Sequence, residues 1–106
     1  YDLDVIKGAP NLFVLKVTNP LNTKVEVTTP TGQIYDFLLL KDGKKIWQWS
    51  DGRTFTQAQQ KISFAPKETK IYYVQYETTD KGNYQLYGFF KGEGNKTVGP
   101  ENFKME

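Results

Sequence analysis

The residue types that most often perform chemistry in proteins are largely missing from this sequence of 106 residues. It contains no histidine and no cysteine, which removes Ser–His–Asp and Cys–His sites, zinc–thiolate sites and disulfide bonds. A paired-carboxylate site would have to draw on Asp36, Asp42, Asp51, Glu68 or Glu77. These acids fall mostly at turns or alternate strand positions, where solvated charge is the usual role. Asp2 and Asp4 supply too few of the ~6–8 oxygens that calcium takes. We therefore expect no catalytic residue, no metal site and no cofactor.

Aromatic side chains are the other chemically distinctive group, since Trp, Tyr and Phe make up 15% of the chain. Trp47 and Trp49 are two residues apart, so on a strand both side chains point to the same side of the sheet. If that side is the core, the indoles fill core volume. If it is exposed, they form a platform that can stack sugar rings or bases. The sequence alone leaves both interpretations open.

Charge and hydropathy exclude two classes of partner. A net charge of +2 gives no strong attraction to nucleic acid or to an anionic membrane. The basic residues near the Trp pair, Lys41, Lys44, Lys45 and Arg53, are interrupted by Asp42 and Asp51. The longest apolar runs, 12–15 and 37–40, are far shorter than the ~18 residues needed to cross a bilayer. We expect neither nucleic-acid binding nor a membrane span.

The elements that must position these side chains have the two-residue periodicity of β-strands, broken by turn residues. Strands are predicted over 2–7, 11–19, 24–29, 33–41, 44–49, 61–64, 69–78, 83–91 and 101–106. Asp42-Gly43 predicts a type I′ hairpin, because both central positions of that turn need positive φ. Residues 54–60 are ambiguous between a helical turn and a loop, and 92–100 is predicted to be a polar loop. Eight or nine short strands over 1–106 predict one antiparallel β-sandwich or barrel domain.

The sequence Asp80-x-Gly82-x-Tyr84-x-Leu86 has the spacing of an immunoglobulin tyrosine corner. In that motif a Tyr at the start of one strand bonds to upstream backbone, two residues before the second core cysteine. Leu86 would stand at the position of that cysteine. The alternative is a hairpin turn followed by an ordinary strand Tyr. With the strand count, this motif favours an immunoglobulin-like antiparallel β-sandwich without cysteine.

Three segments occur in a distinctive order: Thr31-Gly32-Gln33-Ile34-Tyr35-Asp36-Phe37, Ile46-Trp47-Gln48-Trp49-Ser50-Asp51 and Phe55-Thr56-Gln57-Ala58. Together with Asn19-Pro20 and Pro66-x-Glu68, they resemble the BsuPI family of bacterial intracellular proteinase inhibitors, over roughly residues 13–91. The resemblance implies an immunoglobulin-like sandwich that is not an enzyme and that inhibits an intracellular subtilisin-like serine protease. It also implies a cytoplasmic location. A secreted or cell-surface location is the alternative, because the sequence begins at Tyr1 rather than Met.

An inhibitor of this kind can present an extended segment that pairs with the protease cleft as an added strand, and its affinity then depends on preorganisation. The candidate segment is loop 50–55: Ser50, Asp51, Gly52, Arg53, Thr54 and Phe55. Segments 92–100 and 30–32 are weaker candidates. The alternative is an ordinary connection in which Asp51 caps its own backbone.

Two other functions are consistent with the sequence. One is an accessory carbohydrate- or polymer-binding domain that uses exposed Trp47 and Trp49. The other is a structural interaction module without inhibitory activity. Burial of the Trp pair would argue against carbohydrate binding, whereas a coplanar exposed pair would favour it. For all three functions we expect a protein that acts as a monomer.

Overall fold

The computed structural model describes residues 1–92 and 94–106. Within them lie nine β-strands and no helix, as the strand periodicity predicts. The strands are β1 (Asp2–Ile6), β2 (Asn11–Thr18), β3 (Val25–Thr29), β4 (Tyr35–Lys41), β5 (Lys44–Gln48), β6 (Gln60–Phe64), β7 (Thr69–Tyr76), β8 (Gly82–Phe90) and β9 (Lys96–Met105). Every recorded strand pair is antiparallel. The all-β prediction is confirmed.

The strands form two main sheets and one smaller pair. One sheet has the order β1-β2-β7, the second has the order β5-β4-β8-β9, and β3 pairs with β6. The two main sheets have the strand orders A-B-E and C′-C-F-G of an immunoglobulin fold. Strand β6, which would continue the first sheet as strand D, pairs with β3 instead. The fold is the predicted immunoglobulin-like β-sandwich.

The core consists of inward-facing residues from both main sheets and from the β3–β6 pair. Its buried apolar members are Leu3, Phe13, Leu15, Val17, Val27, Phe37, Leu39, Ile62, Phe64, Val74, Tyr84, Leu86 and Phe90. Leu86 is fully buried and lies opposite Leu39 across β8 and β4. Full burial of such a side chain stabilises a fold by roughly 1.5–3 kcal/mol. Apolar packing thus occupies the position where an immunoglobulin domain has a cysteine.

The start of β8 is fixed to the preceding turn by Tyr84. Its hydroxyl donates a hydrogen bond to the backbone carbonyl of Asp80 at 2.8 Å, which is the bond that characterises a tyrosine corner. Tyr84 is only 1% exposed, so the bond satisfies a buried polar group. Gly82 has a φ of +148°, a backbone conformation that residues with a side chain rarely adopt. The turn therefore needs glycine.

One connection between strands has the conformation predicted from the sequence, and another differs from the prediction. Asp42 and Gly43 have φ values of +50° and +82°, as a type I′ turn requires. Strand β9 begins at Lys96, although a polar loop was predicted over 92–100. Pro100 does not end the strand, because β9 lies at the sheet edge, where a missing N–H is tolerated. Residue 93 of that loop lies outside the described residues.

Candidate functional site

A buried carboxylate on β4 organises the region around loop 50–55. Asp36 is 1% exposed, and its oxygens accept hydrogen bonds from Gln48 Nε2 at 2.8 Å, Ser50 N at 3.1 Å and Ser50 Oγ at 2.7 Å. The N–H of Phe37 donates to it as well, at 2.8 Å. Hydrogen bonds to an ionised acceptor are stronger than those between neutral groups. Asp36 therefore holds the end of β5 and the start of loop 50–55 against β4.

The backbone of loop 50–55 forms consecutive tight turns. Asp51 N donates to Gln48 O at 3.1 Å, and Arg53 N donates to Ser50 O at 3.0 Å. Gly52 has a φ of +78°, a conformation that glycine adopts without steric cost. The loop thus has a defined conformation without any disulfide bond.

Side-chain contacts at the protein surface also restrain loop 50–55. Arg53 Nε donates to the carbonyl of Trp49 at 2.9 Å, and its guanidinium lies 4.4 Å from the centre of the Trp49 ring. Lys45 Nζ forms an exposed ion pair with Asp51 at 3.3 Å, a type of contact that contributes little stability by itself. The Arg53–Trp49 contact is therefore the principal side-chain anchor of the exposed tip.

The second half of the loop is attached at two further points. The Phe55 ring packs against Trp49 with centroids 5.9 Å apart, and Gly32 N donates to Thr56 O at 2.8 Å. A Cβ at Gly32 would collide with Thr56 Oγ1. Glycine at this position therefore lets the segment after loop 50–55 approach the start of β4.

Exposure divides the six residues of the predicted loop into anchors and a tip. Ser50 and Phe55 are half-buried, whereas the four residues between them, Asp51, Gly52, Arg53 and Thr54, are exposed. Sequence reasoning named the loop but missed Asp36 and Gln48 as its supports. The available signal was a carboxylate inside an apolar strand, flanked by Tyr35 and Phe37. The site therefore consists of an exposed four-residue tip on a hydrogen-bonded and aromatic base.

The two Trp side chains pack against the core. Trp47 lies edge-on to Phe13 at 6.0 Å and 4.9 Å from Tyr76, between ring centroids. Trp49 stacks on Tyr35 at 4.7 Å. Both are half-buried, so they do not form a coplanar exposed pair. The geometry therefore favours the interpretation in which the two indoles fill core volume over the one in which they form an exposed platform.

Three tyrosines beside this aromatic base have raised pKa values. Burial raises the pKa of Tyr35, an effect that the Arg53 guanidinium opposes and nearby Tyr73 reinforces. Burial is also the main reason that the pKa values of Tyr72 and Tyr76 are raised. Removing the phenol from water disfavours its charged form. These three phenols therefore stay neutral to a higher pH than an unperturbed tyrosine.

We expect alkaline conditions to destabilise the protein through these phenols. Because their folded-state pKa values are raised, the stability they contribute is fully present below pH ~10 and is lost as the pH rises through the folded values. Chemical unfolding, measured alongside tyrosinate absorbance, should show the free energy of unfolding falling above pH ~10. Tyr72→Phe should make this fall shallower. A free energy of unfolding that stays constant while all tyrosines ionise would contradict the expectation.

Two classes of site lack the required residues in the described part of the chain. No group of three or more His, Cys, Asp or Glu residues within 1–92 and 94–106 is placed to hold a metal ion. The same residues include no helix long and apolar enough to cross a membrane.

Comparison with known proteins identifies the family. A search of curated proteins found no match. The family model of BsuPI, described as intracellular proteinase inhibitor, matches residues 4–95, a span that includes loop 50–55 and Asp36. Proteins of this description are noncatalytic, and their partner is a protease. The chain belongs to the BsuPI family of intracellular proteinase inhibitors.

Proposed function

We propose that this protein inhibits an intracellular subtilisin-like serine protease and that loop 50–55 makes the contact. The observation that carries the proposal is the contrast between the exposed tip, Asp51 to Thr54, and its fixed base. The base rests on Asp36, which accepts three hydrogen bonds from Gln48 and Ser50. A protease meeting this tip encounters a segment that is already ordered.

Preorganisation matters because a flexible segment loses freedom when it binds. Ordering at an interface costs roughly 0.5–1.5 kcal/mol for each immobilised side chain. In this chain Arg53 is already restrained on Trp49 at 4.4 Å, and Phe55 is already packed on the same ring. The buried carboxylate and the stacked aromatic rings thus restrain the conformation of loop 50–55, as disulfide bonds do in many small inhibitors.

The other two candidate segments fit the role less well. Much of 92–100 lies in strand β9, where it is hydrogen-bonded to β8. Segment 30–32 is short, and Gly32 N is bonded to Thr56 O next to loop 50–55. In this proposal, segment 30–32 supports the principal loop and does not compete with it.

The alternative of carbohydrate binding is disfavoured by the packing of the Trp pair. A sugar platform needs an open indole face, but Trp49 has Tyr35 and Arg53 within 5 Å of its ring centre. Trp47 packs against Phe13 and Tyr76. No other described aromatic pair combines exposure with coplanarity. Protease inhibition therefore explains the structure better.

The test is titration of the purified chain against an intracellular subtilisin-type protease with a chromogenic peptide substrate. We expect activity to fall as the chain is added at micromolar concentration, and mass spectrometry should recover the chain uncleaved. A serine protease of the chymotrypsin fold serves as the specificity control. Full protease activity in the presence of excess folded chain would refute the proposal for that target. It would then favour the structural interaction module.

A further inference from the structure

The free edge of β7 differs from the other strand edges of the molecule. Exposed strand edges are usually protected by charged residues, proline or a bulge. The other edges carry such residues: Lys44 and Lys45 on β5, Pro100 and Lys104 on β9, Asp2 and Asp4 on β1, and Glu26 and Lys61 in the β3–β6 pair. The one charged residue within β7 is Lys70, which contacts Glu68 and the Phe64 ring. Strand β7 therefore has no charged residue on its outward-facing side, although the inward-pointing Lys70 gives its edge some protection.

The hydrogen-bond register identifies the backbone groups on that edge. Asn19 N donates to Glu68 O at 2.9 Å, in register with the β2–β7 pairing that ends at Thr18 and Thr69. Antiparallel pairs alternate between bonded and non-bonded positions, so the even-numbered residues of β7 bond to β2. The N–H and C=O groups that face the free edge belong to Thr69, Ile71, Tyr73 and Gln75. No turn or loop backbone group of the described residues bonds to these four.

The same four residues point their side chains to the outer face of the sheet, where Ile71 and Tyr73 are the exposed apolar members and an Asp4–Lys16 ion pair lies on the two neighbouring strands. Ile71 is 57% exposed and Tyr73 is 59% exposed. Across the pairing, Tyr73 lies opposite Val14, which is buried but lies outside the main core cluster. Ile6, on the far strand of the same sheet, is 54% exposed. Ile71 and Tyr73, two residues apart on one face, therefore form an exposed apolar pair along the free edge.

We propose that β7 pairs antiparallel with β7 of a second copy of this chain, which joins two three-stranded sheets into one of six strands. A two-fold axis through Tyr73 places Tyr73 opposite its counterpart and Ile71 opposite Gln75 of the other copy. The three bonded pairs would supply about six backbone hydrogen bonds. A second copy fits this edge because the four outward-facing residues are uncharged, so no like charges meet at the axis. The dimer would replace the monomer expected from the sequence.

Sedimentation equilibrium over micromolar to millimolar concentrations tests the pairing. We expect a species of twice the 12.2 kDa chain mass. Tyr73→Lys places two ammonium groups at the axis and should weaken dimerisation at least ~10-fold. Ile46→Lys is the matched control, because Ile46 is also an exposed apolar residue, 45% accessible, on the edge strand β5. That control should leave dimerisation unchanged.

Two further variants keep the test decisive if Tyr73→Lys does not fold. Gln75→Pro removes an N–H that faces the free edge and leaves the β2 ladder intact, so it should also weaken the dimer. Because the chain has no cysteine, Tyr73→Cys should form a disulfide-linked dimer on oxidation, whereas Ile46→Cys should not. A chain that is monomeric at every concentration overturns the proposal, as does a dimer that none of the β7 variants affects. If the chain is monomeric and Tyr73→Lys weakens protease inhibition, the β7 edge is a protease-binding surface and not a dimer interface.

Discussion

Replacing Asp36 by alanine is expected to lower the free energy of unfolding by about 3 kcal/mol. The substitution removes the acceptor of four hydrogen bonds, from Gln48, Phe37 and both the backbone and the hydroxyl of Ser50. A buried donor left without an acceptor costs about 1–3 kcal/mol, and water entering the space recovers part of that loss. Denaturant unfolding measures the change as a lower midpoint at a constant slope.

The same substitution should weaken inhibition even where the protein is fully folded. Without Asp36, Ser50 loses two of its hydrogen bonds, and the exposed tip must be ordered by the protease. We expect a Ki at least ~10-fold higher, measured at a temperature well below the unfolding midpoint. Asp2→Ala is the control, since Asp2 is an exposed strand carboxylate, and it should change stability by less than about 0.5 kcal/mol. A stability loss below about 1 kcal/mol for Asp36→Ala would show that the carboxylate is not the anchor.

Much of the fold follows from short-range patterns. Two-residue alternation locates eight of the strands to within a few residues, because each strand has one face in the core. Asp42-Gly43 predicts its hairpin, since positive φ is a local requirement of the turn. Tyr84 and Asp80 are four residues apart and hydrogen-bonded. Such features depend on residues that are close together in the chain, so they can be predicted from a single sequence.

Other features depend on contacts between distant residues. Gln48 and Ser50 follow Asp36 by 12 and 14 residues and meet it only because β5 folds back on β4. Periodicity places Trp47 and Trp49 on one face, but it does not say whether that face is buried. The pairing of β3 with β6 is equally non-local. The sequence therefore locates loop 50–55 but not the groups that hold it.

Removing the tip side chains of loop 50–55 should give the largest loss of inhibition. The variant Asp51→Ala, Arg53→Ala and Thr54→Ala removes three exposed side chains and leaves Ser50 and Phe55 to anchor the loop. If the tip is the contact, the Ki measured with the chromogenic substrate should rise at least ~100-fold, because a few central residues usually carry most of an interface's binding energy. Stability should fall by about 1–2 kcal/mol, since Arg53 loses both its hydrogen bond to the Trp49 carbonyl and its contact with the Trp49 ring.

The chain contains a matched control for this variant in another exposed turn. Thr79→Ala, Asp80→Ala and Lys81→Ala also removes one threonine, one acid and one base from exposed positions, so both variants keep the net charge of +2. The Tyr84 hydrogen bond survives because it uses the Asp80 backbone carbonyl. A rise in Ki confined to the loop 50–55 variant, measured well below the unfolding midpoint of both proteins, assigns the contact to the tip, because the kinds of side chain removed and the net charge are matched. Equal Ki values for the two folded variants would place the protease contact elsewhere on the sandwich.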